Sequence, residues 1–302
     1  MSKSACLFPG QGAQFAGMGR SVVERLPATQ RLFDQAREIL GYDLADACWG
    51  ESTERLNSTA YSQPALYVCS LAAVELLRNE SPEVASGFDY AAGLSLGEYT
   101  ALTFAGAMSF EEGLGVVKVR GESMQAAAEA NPSGMVSALM LKPEQVDEVV
   151  QRASAAGPLW VANYLCPGNT VLSGSRPGCE AAIAIIEELG GKPIPLSVAG
   201  AFHTELMESA CSALKSALES VKLTAPRIPV ISNVDAGIHT DPDDLRDLLV
   251  RQVTQPVRWE ESVRWMIEAG VTQFYEVGPG KVLRGLLKRI DRKLECQSIG
   301  EA

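Results

Sequence analysis

Gly93-Leu94-Ser95-Leu96-Gly97 forms a G-x-S-x-G pattern. A nucleophilic serine on a tight strand-to-helix turn occupies a strained backbone conformation, and glycines two residues to either side let neighbouring backbone pass close by. The hydroxyl then stands clear at a sheet edge, at a helix N-terminus that favours negative charge. A pattern this short also arises by chance, and Ser95 as an N-cap in a glycine turn is the competing reading. A serine nucleophile needs a base that titrates near the working pH. The chain has 2 histidines. His203, in Gly200-Ala201-Phe202-His203-Thr204, is expected to open a helix and is the better placed; a packing or capping histidine is the alternative. His239 sits in the polar turn Gly237-Ile238-His239-Thr240-Asp241-Pro242 and reads as a solvated turn residue. Gly10-Gln11-Gly12-Ala13-Gln14 follows an apolar run and can point backbone amides at an anion. Position 15 is Phe and no Gly-Lys-Ser/Thr follows, so a dinucleotide or P-loop site is disfavoured and an oxyanion-hole loop is the alternative. Arg120 shares a helical face with Val116, Ser123 and Ala127. An arginine on so small and apolar a stripe snorkels, pairs with a carboxylate, or waits for an anionic ligand.

The elements that must position these residues alternate. Ser4–Phe8 reads as a strand, 29–40 and 63–79 as amphipathic helices, and Tyr90–Gly93 as a short buried strand running straight into a helix. Ser109-Phe110-Glu111-Glu112 is a capping box opening a helix over 110–130. Strand–helix alternation of these lengths predicts a parallel sheet covered by helices. The pattern breaks at Asn131-Pro132-Ser133-Gly134. Strands are then expected at Met135–Leu141, Trp160–Tyr164, Thr170–Ser173 and Pro193–Val198, with helices at Pro143–Ala155 and Pro177–Leu189. That βαββαβ order is ferredoxin-like. The expected organisation is therefore a discontinuous α/β domain, 1–130 and 199–302, with an α+β domain inserted over 131–198. After 199 the order is helix, strand (Val230–Asn233), helix, strand (Gln273–Glu276), helix.

Composition narrows the function. Of the 302 residues 46% are hydrophobic and 21% charged, which suits a folded globular chain. The net charge of −11 disfavours nucleic-acid binding, which needs a basic surface. The 7 cysteines show no C-x-x-C, so neither a disulfide framework nor a metal site is expected, and they read as reduced apolar residues. No apolar run is long enough to span a membrane, and Met1-Ser2-Lys3-Ser4 leads into a strand without a signal-type segment. A cytoplasmic protein is expected.

Several spaced stretches resemble, in order, the malonyl-CoA:acyl carrier protein transacylases of fatty-acid synthesis and, more broadly, the acyltransferase domains of polyketide synthases. They are Phe8-Pro9-Gly10-Gln11-Gly12-Ala13-Gln14, Tyr61-Ser62-Gln63-Pro64-Ala65, Gly93-Leu94-Ser95-Leu96-Gly97-Glu98-Tyr99, Val119-Arg120-Gly121, Ala201-Phe202-His203 and Val277-Gly278-Pro279-Gly280. The resemblance runs from residue 4 to about 290 and implies an α/β-hydrolase-like large domain with a ferredoxin-like insertion. It implies Ser95 as the acylated nucleophile, His203 as its base, and the amides of Gln11 and Leu96 as the oxyanion hole. Arg120 would bind the free malonyl carboxylate, which a guanidinium fork can grip bidentately. Gln63 and Asn163 look like pocket positions, and the Gln252 backbone carbonyl would orient the histidine. Two departures stand out: Leu94 replaces the family's usual His before the nucleophile, and Leu165 replaces the second Asn of Asn-x-Asn-Ser-Pro-Gly. Phe202 would crowd an α-methyl group, favouring malonyl over methylmalonyl.

The implied activity is ping-pong malonyl transfer, through a Ser95 malonyl ester, from malonyl-CoA to the phosphopantetheine thiol of acyl carrier protein in fatty-acid synthesis, with no cofactor or metal; a monomer is expected because the chain reads as self-contained. A free-standing enzyme loading a polyketide carrier is the alternative, and a serine hydrolase a more distant one. Lys281, Arg284, Lys288, Arg289, Arg292 and Lys293 would form a basic helical face opposite Val282, Leu283, Leu286, Leu287 and Ile290. That face reads as a solvated surface or as a site for the carrier or the CoA phosphates.

Overall fold

The computed structural model describes residues 2–50 and 54–300. Met1 and 301–302, the outer ends of the expected α/β domain, lie outside them, as do 51–53. The strands in chain order are β1 (Lys3–Phe8), β2 (Tyr90–Gly93), β3 (Ser133–Leu139), β4 (Leu159–Cys166), β5 (Asn169–Ser175), β6 (Lys192–Pro195), β7 (Val230–Ile231), β8 (Val271–Val277) and β9 (Glu295–Ile299). They form two sheets, ordered β7-β2-β1-β8-β9 and β4-β5-β3-β6.

Every pairing in the first sheet is parallel. Ala5-Cys6-Leu7-Phe8 of β1 is fully buried, the continuous apolar run that a helix-covered parallel strand requires. The register matters for the chemistry. Phe8 is level with Gly93, so the loop after β1 and the turn after β2 leave the sheet side by side at its carboxyl edge. The helix after β2 is Leu96–Phe104 and the next is Phe110–Ala130. The latter opens with both halves of the expected capping box: the Glu112 amide donates to Ser109 Oγ (3.1 Å) and the Ser109 amide to Glu112 Oε2 (3.0 Å).

Several elements differ from expectation: the short helices Arg20–Arg25, Leu44–Trp49 and Pro82–Ser86 were not expected, and the strand expected over Val230–Asn233 ends at Ile231. The helix expected over 63–79 starts at Thr59, and it is not amphipathic, because nearly every residue from Ser62 to Leu77 is buried. It is a central helix packed on several neighbours, which hides the 3.6-residue alternation. Strand β9 was not expected. It is an edge strand, and Glu295, Gln297 and Ser298 dilute its apolar signal.

The second sheet is antiparallel and keeps its own core of Val136, Ala138, Val149, Leu159, Leu172, Ala182 and Ile186. Helices Pro143–Ala153 and Arg176–Glu188 complete the ferredoxin-like βαββαβ order. Its last strand ends at Pro195, short of the expected Val198: the Leu196 amide makes a final bond to the Met135 carbonyl (2.9 Å), and Leu196 to Val198 line the cavity described below. The cysteines are buried except for the partly exposed Cys211. Among the described residues no helix is long and apolar enough to cross a membrane, and no cluster of His, Cys, Asp and Glu could hold a metal ion.

Candidate active site

Ser95 sits at φ 51°, ψ −104°, a conformation that residues with a Cβ rarely adopt. The packing around it leaves little choice. A Cβ on Gly93 would lie 1.9 Å from the Gly97 carbonyl carbon, and one on Gly97 would lie 2.2 Å from the Phe8 oxygen. Only glycine permits strand, turn and helix to approach so closely. The turn is also tied from outside. The Ser95 amide donates to Asn233 Oδ1 (2.6 Å), and Asn233 Nδ2 donates to the Gly93 carbonyl (2.8 Å).

His203 Nε2 lies 2.9 Å from Ser95 Oγ, and its Nδ1 lies 2.7 Å from the Gln252 carbonyl oxygen. A carbonyl can only accept, so Nδ1 carries the proton and Nε2 is left to accept from the serine hydroxyl. Burial, with the charge of Arg120 adding to it, pushes the His203 pKa down to about 4 and keeps the ring neutral at pH 7. The residue does not open a helix as expected. It sits at φ 62° in a turn that precedes the short Glu205–Met207 helical turn. Ser173 Oγ of β5 donates to the Phe202 carbonyl (2.9 Å), tying this turn to the second sheet.

Arg120 neither snorkels nor hydrogen-bonds a carboxylate: it is only 1% exposed, and the partners of its terminal nitrogens are neutral oxygens. Its NH1 donates to Gln63 Oε1 (2.7 Å), and its NH2 donates to Gln252 Oε1 (2.9 Å) and to Ser95 Oγ (3.0 Å). Its Nε is buried with no partner. A guanidinium buried among two amide oxygens and a hydroxyl, with no carboxylate hydrogen-bonded to it among the described residues, is chemically able to take an anion beside the nucleophile. Behind it, Glu98 Oε2 accepts from Gln252 Nε2 (2.6 Å) and from the Asn233 amide (3.1 Å). Burial pushes the Glu98 pKa up to about 7, against the pull of those two donors.

Ser95, Arg120 and His203 open onto a cavity of about 450 Å³ between the sheets. Gln11 and Leu96 line it on the parallel-sheet side. A Cβ on Gly10 would lie 2.1 Å from the Leu94 oxygen, so the loop carrying Gln11 rests directly against the serine turn. Among the described residues, neither the Gln11 nor the Leu96 amide is used in a turn or cap bond. The chemistry available is attack on a carbonyl carbon, with the leaving group protonated by His203 and an acyl chain that ends in an anion.

The acyl transferase domain family matches residues 6–299. The chain belongs to that family. It is 42% identical over 305 residues to the malonyl CoA-acyl carrier protein transacylase of Bacillus subtilis, covering 100% of this chain and 94% of that one. It is 40% identical over 302 residues to the human mitochondrial malonyl-CoA-acyl carrier protein transacylase, covering 94% of this chain and 76% of that one. A malonyl-transacylase solved with a type II PKS acyl-carrier protein superposes with a TM-score of 0.95 at 34% identity, covering 100% of this chain and 97% of that one.

The other family positions fall into two groups. Asn163 on β4 and Phe202 line the cavity, as do Leu94 and Leu165 at the two departures from the family pattern. Gln63 stands behind Arg120, with its Nε2 3.6 Å from Met124 Sδ, so it holds the arginine and does not line the wall. Gln252 bonds through both backbone and side chain. Sequence reasoning missed Glu98 and Asn233 as site residues. The signal for Glu98 was a carboxylate in the otherwise uncharged run Leu94–Phe110, and for Asn233 a polar residue ending a strand beside the serine turn. The basic helix is shorter than expected, Val282–Ile290, which leaves Arg292 and Lys293 beyond its end.

Proposed function

We propose that this chain transfers a malonyl group from malonyl-CoA to the phosphopantetheine thiol of an acyl carrier protein through an ester on Ser95. The observation that carries this reading is the buried Arg120 guanidinium, held by neutral oxygens 3.0 Å from the nucleophile. A pocket for a plain acyl chain would have no use for such a charge, and a dicarboxylic acyl group fits it.

The steps follow from the contacts. His203 Nε2 takes the Ser95 proton as Oγ bonds to the thioester carbon. The amides of Gln11 and Leu96 receive the oxyanion, each donor contributing about 3 kcal/mol. The C–S bond breaks, and His203 returns its proton to the CoA sulfur. The carrier thiol then gives a proton to His203 and attacks the ester carbon, and the proton passes back to Ser95 Oγ. In the resting site Arg120 donates to the same oxygen that must attack. A malonyl carboxylate competes for that donor, freeing a lone pair of the nucleophile. It also offsets the charge that helps depress His203. Phe202 would narrow the room for an α-methyl group. The scheme uses no metal or redox cofactor.

In this reading residues 1–130 with 199–302 carry the chemistry, and 131–198 supply the facing wall of a monomeric, cytoplasmic enzyme. The carrier in this reading belongs to fatty-acid synthesis; a polyketide carrier is the alternative, and the relative solved with a type II PKS acyl-carrier protein is its precedent. The test is intact-protein mass measurement after brief mixing with malonyl-, acetyl- or methylmalonyl-CoA. We expect a malonyl adduct that needs Ser95, is absent in Ser95→Ala, and disappears on adding either carrier protein. An adduct that decays in buffer alone would make the protein a hydrolase. No adduct would refute the proposal.

A further inference from the structure

Glu98 is a buried carboxylate that the scheme above does not use, and it is 3% exposed. It touches neither the Ser95 hydroxyl, nor His203, nor the guanidinium of Arg120 through any hydrogen bond among the described residues. The residues of its two donors, Gln252 through its side-chain amide and Asn233 through its backbone amide, bond in turn to the Ser95 backbone, His203 and Arg120.

Gln252 bonds three ways beyond Glu98. Its carbonyl oxygen accepts from His203 Nδ1 (2.7 Å), its Oε1 accepts from Arg120 NH2 (2.9 Å), and its Nε2 also donates to the Ser95 carbonyl (3.1 Å). An amide can present its oxygen to Arg120 and its nitrogen to Glu98 in one orientation only; flipping it would set donor against donor and acceptor against acceptor. Glu98 therefore fixes which way Gln252 faces. Asn233 works on the other side of the turn. Its backbone amide is held by Glu98, while its side chain spans the Ser95 amide and the Gly93 carbonyl. Strain at φ 51° persists only where neighbours over-determine it, and this is the bond set that does so.

We propose that Glu98 is the positioning residue of the site, whose single oxygen, through Gln252 and Asn233, sets the strained nucleophile turn, the histidine and the malonyl-binding arginine together. The inference rests on the malonyl-transfer reading. It concerns the position of an acceptor oxygen and not a negative charge. With its pKa raised to about 7, beside the charges of Arg120 and Asp235, Glu98 is protonated in part of the population at neutral pH.

The experiment measures the rate of ester formation from malonyl-CoA and from acetyl-CoA in Glu98→Gln, Glu98→Asp and Glu98→Ala, with thermal unfolding of each. Glutamine keeps an acceptor in place and removes the charge. Aspartate keeps the charge and withdraws the acceptor by about 1.5 Å, one C–C bond. We expect E98Q to stay within about tenfold of wild type, and E98D and E98A to lose about 100-fold, the cost of roughly 1 Å of misplacement. We also expect the malonyl-over-acetyl preference to fall in E98D and E98A, because Arg120 loses its prop. A purely structural role would lower thermal stability and leave that preference alone. A folded E98D that outperforms E98Q, or a folded E98A at the wild-type rate and preference, would overturn the proposal. The order of E98Q and E98D decides the matter even if E98A does not fold. A wild-type protein that takes no malonyl group would refute the transfer reading itself, a separate result from unchanged variants on an active background.

Discussion

The two walls of the cavity are built in opposite ways. The parallel-sheet wall is polar, crowded and over-determined. Ser95, His203, Arg120, Gln252, Asn233 and Glu98 form one connected set of hydrogen bonds, and glycines at 93 and 97 press the backbone into contact. The facing wall from the second sheet is mostly apolar, with Met135, Leu165, Val171, Leu196 and Val198 around the lone amide of Asn163. Fixed dipoles act on charge that develops in the transition state and must not reorganise. An apolar wall only excludes water and sets shape. The difference predicts that damage on the first wall appears as lost rate, and damage on the second as altered choice of acyl group.

The sharpest test of that division is Arg120, which belongs to the first wall by position and to selection by role. Arg120→Ala should lower ester formation from malonyl-CoA by about 100-fold, the loss of a charge-assisted pair. Ester formation from acetyl-CoA should fall far less, because acetyl has no carboxylate to lose. Equal losses with both donors would mean that Arg120 serves the nucleophile alone, and the division between walls would fail. Stopped-flow release of CoA thiol measures both rates.

The next test concerns the base. Burial holds the His203 pKa down at about 4, so the ring is a free acceptor throughout the neutral range. The acylation rate should be flat in His203 protonation above pH 5 and fall as pH drops through about 4. The sign for stability follows. The unfolded chain protonates this histidine below about 6.5 while the folded one does not, so its burial destabilises the fold increasingly as pH falls from there to about 4. Arg120→Ala removes the second cause of the depression, and the acid limb of the rate should then move to higher pH. A limb that stays in place would leave burial as the only cause.

How much of this was legible in the sequence depends on range. Gly93-x-Ser95-x-Gly97, the capping box at Ser109 and Glu112, and the βαββαβ order are local patterns, and local patterns can be read from spacing. The strand Tyr90–Gly93 agrees residue for residue. The edge strand β9 was illegible because its polar residues carry little apolar alternation, and the central helix from Thr59 because burial on every side erases periodicity. Glu98 and Asn233 are 135 positions apart and meet only through the β2–β7 pairing, so no window on the sequence joins them. Family resemblance supplied Gln252, whose contact with His203 spans 49 positions. Gln63 showed the limit of resemblance: it placed the residue in the site but not behind the arginine.

Phe202 joins the two walls, since its carbonyl is held by β5 while its side chain lines the cavity beside His203. Phe202→Ala should leave malonyl transfer within a few-fold and raise methylmalonyl transfer, narrowing the discrimination about tenfold, the usual scale for one methyl group in an apolar pocket. Competition between the two CoA esters, read by adduct mass, measures the ratio directly. A loss of rate with unchanged ratio would place Phe202 with the rate-setting wall.

The smallest effect is expected outside the cavity. Val282 and Leu286 of the Val282–Ile290 helix reach the cavity wall, while Arg284 and Lys288 face outward with Arg292 around a shallow depression of about 480 Å³. Arg289 is committed elsewhere, donating to the carbonyls of Pro167 and Gly168. A carrier or CoA phosphate held at this face gains only screened, exposed pairs, each worth about 0.2–1 kcal/mol. Charge reversal at Arg284 and Lys288 should therefore raise the carrier KM a few-fold at low salt, leave ester formation from malonyl-CoA unchanged, and have no effect at 1 M salt, where charges are screened within about 3 Å. A change in ester formation instead would assign the face to CoA, and no change in either would leave it a solvated surface. In all three outcomes the effect stays far below that of Arg120, because the same guanidinium chemistry is worth most where water has been removed from around it.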